Sequence, residues 1–222
     1  MSAGSLLSIG TRAMFANYAA LQTTGHNIAN ANVEGYSRQR VELQTAQGEF
    51  TGAGFFGKGV DVATVSRAHD EFLTREAALS RSQAAADAAR AEQLSRLEAV
   101  FPPGEQGLGY VSGQLLNAMV ELASRPQDSA TREVVLQRAL ELAQRYAHAG
   151  EQIDTLQAGV AQDLAIGIEQ VNQIAQRIAL VNDQIASVNG SGQPPNDLLD
   201  ERDRLVAQLS ERVNVSTLAA GD

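Results

Sequence analysis

Apolar residues recur at seven-residue intervals along the first thirty positions of the chain. The stripe consists of Leu7, Met14, Leu21 and Ile28, with Tyr18 between its second and third members. This period places the apolar side chains on one face of a helix, so it predicts a helix from residue 3 to about 30. The stripe is narrow and needs a partner. We expect either a further segment of the same polypeptide or a neighbouring subunit to supply it.

A turn and then a different period follow this helix. Asparagines and a glycine between Asn27 and Gly35 disfavour helix and favour a turn. Val41 and Leu43 then alternate with polar residues, which is the period of a strand, and Val60 begins a second strand-like segment. Because glycines are frequent between these segments, we expect a loose hairpin or an extended connector.

The longest pattern predicts one continuous helix from residue 129 to 188. Its apolar positions are spaced alternately four and three apart, which is a heptad seam, with one extra step of four between Val160 and Leu164. Such a helix is about 90 Å long at ~1.5 Å per residue. The seam comprises Val135, Ala139, Leu142, Tyr146, Ala149, Ile153, Leu156, Val160, Leu164, Gly167, Val171, Ile174, Ile178, Val181, Ile185 and Val188.

Other helices are predicted on both sides of this long helix. Asp70 is a suitable N-cap for a helix over 71–101, with an apolar stripe that begins at Phe72 and Leu79. A shorter helix follows it. A last helix begins near Asn196, and the short connection makes it fold back antiparallel on the long helix.

These elements predict a mainly α fold with four parts. We expect an elongated antiparallel helical bundle or coiled coil with a long central helix, a separate N-terminal helix and a small β portion. The predicted parts are an N-terminal helix and turn (1–35), a glycine-rich connector with short strands (36–70), a helical bundle (71–212) and the start of a β-rich part (213–222). Val213 begins a strand-like alternation that needs partner strands, so we expect the chain to be a fragment.

Composition narrows the function classes. The chain has 222 residues and a net charge of -9, which argues against binding to the nucleic-acid backbone or to an anionic membrane surface. It has no cysteine, so disulfides and thiolate chemistry are excluded. We find no apolar run near the roughly 18 residues of a membrane span, and the N-terminus has no apolar segment typical of a cleaved signal peptide.

Candidate chemistry is weak. Residues 52–57 match G-x-G-x-x-G, but a strand-like segment follows them where a dinucleotide site requires a helix, so we interpret them as a glycine-rich loop. The three histidines have no metal-ligand spacing. The charged run 200–204 has opposite charges three and four apart, which is typical of a solvated helix face, and it lacks the pattern of a calcium loop. We expect no catalytic site, cofactor or metal.

Residues 20–39 resemble the N-terminal signature of bacterial flagellar axial proteins. The matching features are a first helix, Asn-Ile-Ala-Asn at 27–30 and the Gly35-Tyr36 turn, with Val33 where threonine is common. Three further segments resemble the hook-associated protein 1 family, which forms the hook–filament junction. These segments are 37–39, 57–62 with 67–73, and 196–205.

The resemblance implies a structural protein of the flagellum rather than an enzyme. It implies an adaptor that joins hook to filament and is needed for filament assembly and motility. The implied partners are copies of the chain in a ring, the hook protein, hook-associated protein 3 and the flagellar type III export apparatus. The implied location is extracellular, at the distal end of the hook, after export without a cleaved signal. By resemblance, Leu7, Met14, Leu21 and Ile28 pack in the inner core of the tube.

Alternatives remain at this stage. By resemblance, a joint between layers is shaped by Asn27, Asn30, Asn32, Gly35, Tyr36 and Arg38, but the same residues also suit a plain helix-ending turn. Another axial protein, of rod or hook, is the alternative within the class. A coiled-coil signalling module accounts for the heptads but leaves the asparagine-rich motif unexplained. An enzyme requires nucleotide binding at the glycine-rich loop.

Overall fold

The computed structural model describes residues 3–52, 54–188 and 193–218, and the protein is mainly α, with 72% of its residues helical. The described part divides into two compact units, one from residues 1–83 with 171–222 and the other from 84–170. The helices are α1 (Ala3–Ala29), α2 (Glu71–Val100), α3 (Leu108–Ser124), α4 (Ser129–Val188) and α5 (Asn196–Ser210). The strands are β1 (Gln39–Thr45), β2 (Glu49–Thr51), β3 (Gly54–Phe56) and β4 (Val60–Arg67).

Carboxylate caps fix the starts of two helices. Asp70 Oδ1 accepts hydrogen bonds from the backbone N–H groups of Phe72 and Leu73, at 2.9 and 3.1 Å, and so caps α2 as predicted. Asp128 Oδ1 accepts one from Ala130 N–H at 2.9 Å and caps α4. Because these groups satisfy donors that a helix leaves free at its N-terminus, the boundaries follow from local sequence.

The predicted 60-residue helix α4 is confirmed from end to end. Most of its seam positions are buried or half-buried, including Ala149 and Ile185. The exceptions at the stutter are Val160 and Leu164, which are 44% and 64% exposed. An extra step of four residues shifts the apolar stripe around the helix, so the seam leaves the covered face at that point.

In the unit formed by residues 84–170, the apolar core is small. Its most buried apolar side chains are Val100, Val111 and Ala149, one from each of the three helices present. Small and β-branched side chains at these positions allow helices to approach closely with few voids.

In the other unit, α5 packs on the last turns of α4. Leu205 is fully buried and forms a cluster with Val181 and Ile185, so the predicted return of the last helix along α4 is confirmed. Around this cluster lie the partly buried side chains of Ile174, Ile178, Leu198 and Leu199.

Two antiparallel strand pairs form the β portion. Strand β1 pairs with β4 from Gln39↔Arg67 to Thr45↔Val60, with a register shift between Glu42 and Leu43. Strands β2 and β3 pair from Glu49↔Phe56 to Thr51↔Gly54. Part of the segment 52–57 is therefore strand, which corrects the expectation of a loop, and β4 follows it where a dinucleotide site needs a helix. Position 53 lies outside the described residues.

Helix α1 packs on the β1–β4 pair through small residues. The helix contacts both strands. Ala16 is 4% exposed, Arg12 forms an ion pair with Asp61, and Ile9 lies 3.4 Å from the position that a Cβ on Gly59 would take. The covered face therefore differs from the predicted apolar stripe.

Helix α2 shows the same preference for small residues. Ala78 is buried, whereas Phe72 and Leu79 of its predicted stripe are exposed. The covered side of α2 near its start therefore differs from the apolar stripe, and alanine permits close backbone approach there.

The expected strand near Val213 is not formed within the described residues. Residues 214–218 carry neither helix nor strand, and 219–222 lie outside the described part of the chain. A strand needs a partner for its backbone hydrogen bonds, and no described segment pairs with this one. The division of the chain into four parts stays a prediction.

Candidate assembly site

The side chain of Asn27 joins the end of α1 to the start of β1. Its Oδ1 accepts hydrogen bonds from Gln39 N–H at 2.8 Å and from Tyr36 Oη at 2.7 Å. Its Nδ2 donates to the Gln39 carbonyl at 2.8 Å. The carboxamide therefore makes both hydrogen bonds that the peptide group of a neighbouring strand would make, and it fixes the direction in which the chain leaves α1.

The turn after α1 depends on a glycine and an aromatic pair. Gly35 has φ +79°, and a Cβ there would lie 3.0 Å from Arg204 Cβ on α5. The rings of His26 and Tyr36 meet edge to face with centroids 5.6 Å apart. Burial of Tyr36, followed by the negative charges of Asp200 and Asp197, raises the pKa of its hydroxyl. A protonated Tyr36 is the form that donates to Asn27.

The six residues predicted for a joint separate into two groups. Asn27, Gly35 and Tyr36 meet at the turn, and Asn30 Nδ2 donates to the His26 carbonyl at 3.0 Å. The remaining two, Asn32 and Arg38, have exposed side chains.

Sequence reasoning missed the charged residues that hold this turn. Asp200 on α5 is buried, and its Oδ2 accepts a hydrogen bond from Ser37 N–H at 3.0 Å. Its Oδ1 accepts one from Arg67 Nη1, also at 3.0 Å. Arg67 Nη1 also donates to Asp203 Oδ2 at 2.6 Å, and His69 Nδ1 lies 3.5 Å from the same oxygen. We call Arg67, Asp200 and Asp203 the carboxylate latch.

The interpretation of residues 200–204 as a solvated face is therefore wrong for the two aspartates. The side chains of Asp200 and Arg67 are only 9% and 10% exposed. The sequence did carry two signals. Asp200 and Asp203 lie three residues apart on one side of a helix, and Arg67 ends the strand-like segment that begins at Val60. Glu201 and Arg204 form the predicted pair of opposite charges three residues apart. Hydrogen bonding to Arg204, followed by the charges of Arg204 and Arg177, lowers the pKa of the Glu201 carboxyl.

Two more side chains connect β4 to the start of α5. Asn196 Nδ2 donates to the Val65 carbonyl at 2.6 Å, and Gln193 Nε2 donates to the Ala63 carbonyl at 3.2 Å. Thr64 Oγ1 donates to Gln193 Oε1 at 2.9 Å. The turn, β4 and α5 therefore share a polar network.

The opposite face of α1 is apolar and uncovered. Leu7 and Met14 are each 75% exposed, Leu21 is 72% and Ile28 is 73% exposed. The 27-residue helix contains one arginine and one histidine and no other charged residue, and Arg12 lies on the covered side. We call Leu7, Met14, Leu21 and Ile28 the outer face of α1. A contiguous apolar face of this kind is typical of an interaction surface.

Other kinds of site receive no support from the described residues. Within residues 3–52, 54–188 and 193–218, no helix is long and apolar enough to cross a bilayer. In the same part of the chain, no group of three or more histidine and acidic side chains is arranged to hold a metal ion.

Comparison with known proteins defines the class. The family model described as the flagellar hook-associated protein FlgK helical domain matches residues 94–222, and the model of the flagella basal body rod protein matches residues 7–36. The first match covers more than half of the chain, so the chain belongs to the FlgK helical domain family. This is a family of flagellar structural proteins, not of enzymes.

The curated relatives agree. The chain is 33% identical over 218 residues to flagellar hook-associated protein 1 of Bacillus subtilis, a match that covers 94% of this chain and 43% of the relative. It is 30% identical to flagellar hook-associated protein 1 of Escherichia coli, with 95% of this chain and 39% of the relative covered. It is 31% identical to the Salmonella typhimurium protein of the same name, with 95% of this chain and 38% of the relative covered. The chain therefore spans about two fifths of the length of these relatives.

Proposed function

We propose that the chain is part of a structural adaptor that joins the flagellar hook to the filament and is needed for filament assembly and motility. The name shared by the relatives supports the class of protein. The observation that carries the proposal is the outer face of α1, which is apolar, without charge and exposed along the length of the helix. An adaptor built from many subunits needs such a surface for packing along the axis of the flagellum.

The outer face of α1 supplies the energy for this packing. Burying a Leu, Ile or Met side chain contributes about 1.5–3 kcal/mol, so four of them together favour association strongly. The proposed occupants are neighbouring copies in a ring or a further segment of the same polypeptide. The opposite side of α1 is already occupied by β1 and β4, so assembly through the outer face leaves the unit intact.

The proposed partners and location come from the family. They are copies of the chain, the hook protein, hook-associated protein 3 and the flagellar export apparatus. The protein acts outside the cell, at the distal end of the hook, and leaves the cell without a cleaved signal. The turn at Asn27, Gly35 and Tyr36 orients α1 for this assembly, while the exposed side chains of Asn32 and Arg38 are available to neighbouring subunits.

Electron microscopy of cells that lack the gene tests the assignment. We expect hooks of normal length without filaments, because the junction is missing while the hook can still form. Normal filaments in the deletion strain would contradict a flagellar role.

A rod protein is the second candidate, and the match of residues 7–36 to the rod family model favours it. The same deletion distinguishes the two, because loss of a rod subunit removes the hooks as well.

Substitution on the outer face of α1 tests the mechanism in the complemented strain. We expect the double change Met14→Glu and Leu21→Glu to abolish filament attachment, because it places two charges where apolar packing is proposed. Leu116→Glu is the matched control, since Leu116 is 62% exposed on α3 and lies outside the outer face. If both variants carry normal filaments, α1 does not pack through this face.

A further inference from the structure

Residues 3–67 contact one another through hydrogen bonds, strand pairing and an ion pair. The two hydrogen bonds between Asn27 and Gln39 span 12 residues, and the ion pair between Arg12 and Asp61 spans 49. Helix α1, the turn and the β1–β4 pair therefore form a substructure with its own internal contacts. We call residues 3–67 the N-terminal arm.

Contacts between the arm and α5 are polar and span much longer distances in sequence. Asp200 is 163 residues from Ser37 and 133 from Arg67. The apolar cluster at Leu205, in contrast, contains only residues of α4 and α5. The arm and the α4–α5 pair thus each have their own internal stabilisation, and buried polar groups connect them.

The chemistry of the carboxylate latch makes this connection sensitive to single groups. Asp200 uses its two oxygens for two segments, Ser37 through Oδ2 and Arg67 through Oδ1. Arg67 is almost buried, so removal of the Asp200 carboxylate leaves its guanidinium with only one of its two counter-charges, Asp203. Loss of Asp200 weakens a buried ion pair and also removes the acceptor of the Ser37 N–H, whereas the apolar α4–α5 cluster uses neither contact.

We propose that the carboxylate latch is a release point, at which the N-terminal arm detaches from α5 as a unit while α4 and α5 stay packed. Asp200 and Asp203 act as positioning residues for the arm and set the direction of α1. The proposal is independent of the flagellar function, because it concerns only the contacts of the described chain. Local opening of this kind is expected where two internally stabilised parts share few buried apolar contacts.

Distance measurement between the two parts tests the proposal. The chain has no cysteine, so Ala20→Cys on α1 and Asn182→Cys on α4 introduce two unique positions for spin labels, both exposed. We expect a narrow distance distribution in the otherwise unchanged chain and a broad one after Asp200→Ala. Arg67→Ala, which breaks the latch from the other side, is expected to broaden the distribution equally.

Two variants serve as controls that leave the distribution narrow. Asp183→Ala removes an exposed aspartate of α4 away from the latch. Ser37→Ala retains the backbone N–H that donates to Asp200, so the contact stays.

Hydrogen exchange on the same variants separates release from unfolding. In Asp200→Ala we expect the Ser37 amide to exchange about tenfold faster or more, as for a lost bond to a charged acceptor, while amides around Val181, Ile185 and Leu205 stay protected. An unchanged distance distribution in Asp200→Ala or Arg67→Ala would overturn the proposal. Loss of protection at Leu205 would overturn it too, because the latch would then support the whole unit.

Discussion

Helices α1 and α5 invert the usual relation between residue type and exposure. Helix α5 has six charged residues among fifteen, and every position except Asp197 is at least half-buried. Helix α1 has one arginine and one histidine among 27 residues, and most of its large apolar side chains are exposed. The difference lies in the available partners: the charges of α5 meet counter-charges, whereas no described residue covers the outer face of α1.

Burial of charge in α5 and exposure of apolar surface in α1 therefore have different meanings. Paired charges in a covered position fix orientation, because hydrogen-bond geometry is directional. An uncovered apolar face has no directional requirement, and it contributes favourable free energy only when a second surface buries it.

The largest effect is expected from the same substitution made in both helices. Leu205→Ala removes a fully buried side chain and is expected to lower the free energy of unfolding by about 3 kcal/mol. Leu21→Ala removes a side chain that is 72% exposed and is expected to change the free energy of unfolding by less than about 0.5 kcal/mol. Urea unfolding followed by circular dichroism measures both. Equal effects would mean that the outer face of α1 is covered in solution.

A smaller effect is expected at the turn between α1 and β1. Gly35→Ala forces a side chain into a left-handed conformation and against Arg204, so we expect a loss of about 1–2 kcal/mol in the free energy of unfolding. Gly10→Ala is the control, because the added Cβ meets nothing within 4 Å and alanine favours helix, so stability rises by up to about 1 kcal/mol. Thermal unfolding of the two variants distinguishes these outcomes, and a Gly35→Ala variant as stable as the parent chain contradicts the strained turn.

The smallest effect is expected at Tyr36 and depends on pH. The pKa of the Tyr36 hydroxyl is raised, so the folded state favours its protonated form. The resulting contribution to the free energy of unfolding is fully present below the unfolded pKa of about 10 and is lost as pH rises through the folded pKa. Tyr36→Phe removes the hydrogen bond to Asn27 and is expected to cost about 1 kcal/mol at neutral pH. The difference in the free energy of unfolding between the parent chain and Tyr36→Phe becomes smaller above about pH 10. Unfolding curves of both chains at pH 7 and at alkaline pH measure this difference. A difference that is the same at both pH values would contradict a pH-dependent contribution of the Tyr36 hydroxyl.

Local signals predict the helices well. The cap at Asp128 and the heptad spacing define α4 from Ser129 to Val188 because both act within a few residues. The three-residue strands β2 and β3 are too short to show a period, so the segment 52–57 is predicted as loop although part of it is strand.

The candidate site is predictable only in part. Asn27, Gly35 and Tyr36 lie in one short motif, and the structure brings them together. The pairing of Arg67 with Asp200 joins residues 133 positions apart. The spacing of Asp200 and Asp203 places them on one side of a helix, but it does not identify the distant residue that they contact. The packing of α1 on β1 and β4 was not predicted, because it uses small residues such as Ala16 and not the large residues of the apolar stripe.

The hydrogen bonds from Asn196 and Gln193 to β4 have a consequence for how copies of this chain meet. These side-chain amides occupy the Val65 and Ala63 carbonyls, which are the acceptors that an incoming strand would use. Unprotected strand edges invite edge-to-edge aggregation when many copies are concentrated in one place. With these two carbonyls occupied, copies of this chain cannot use this edge of β4 to extend one another's sheets.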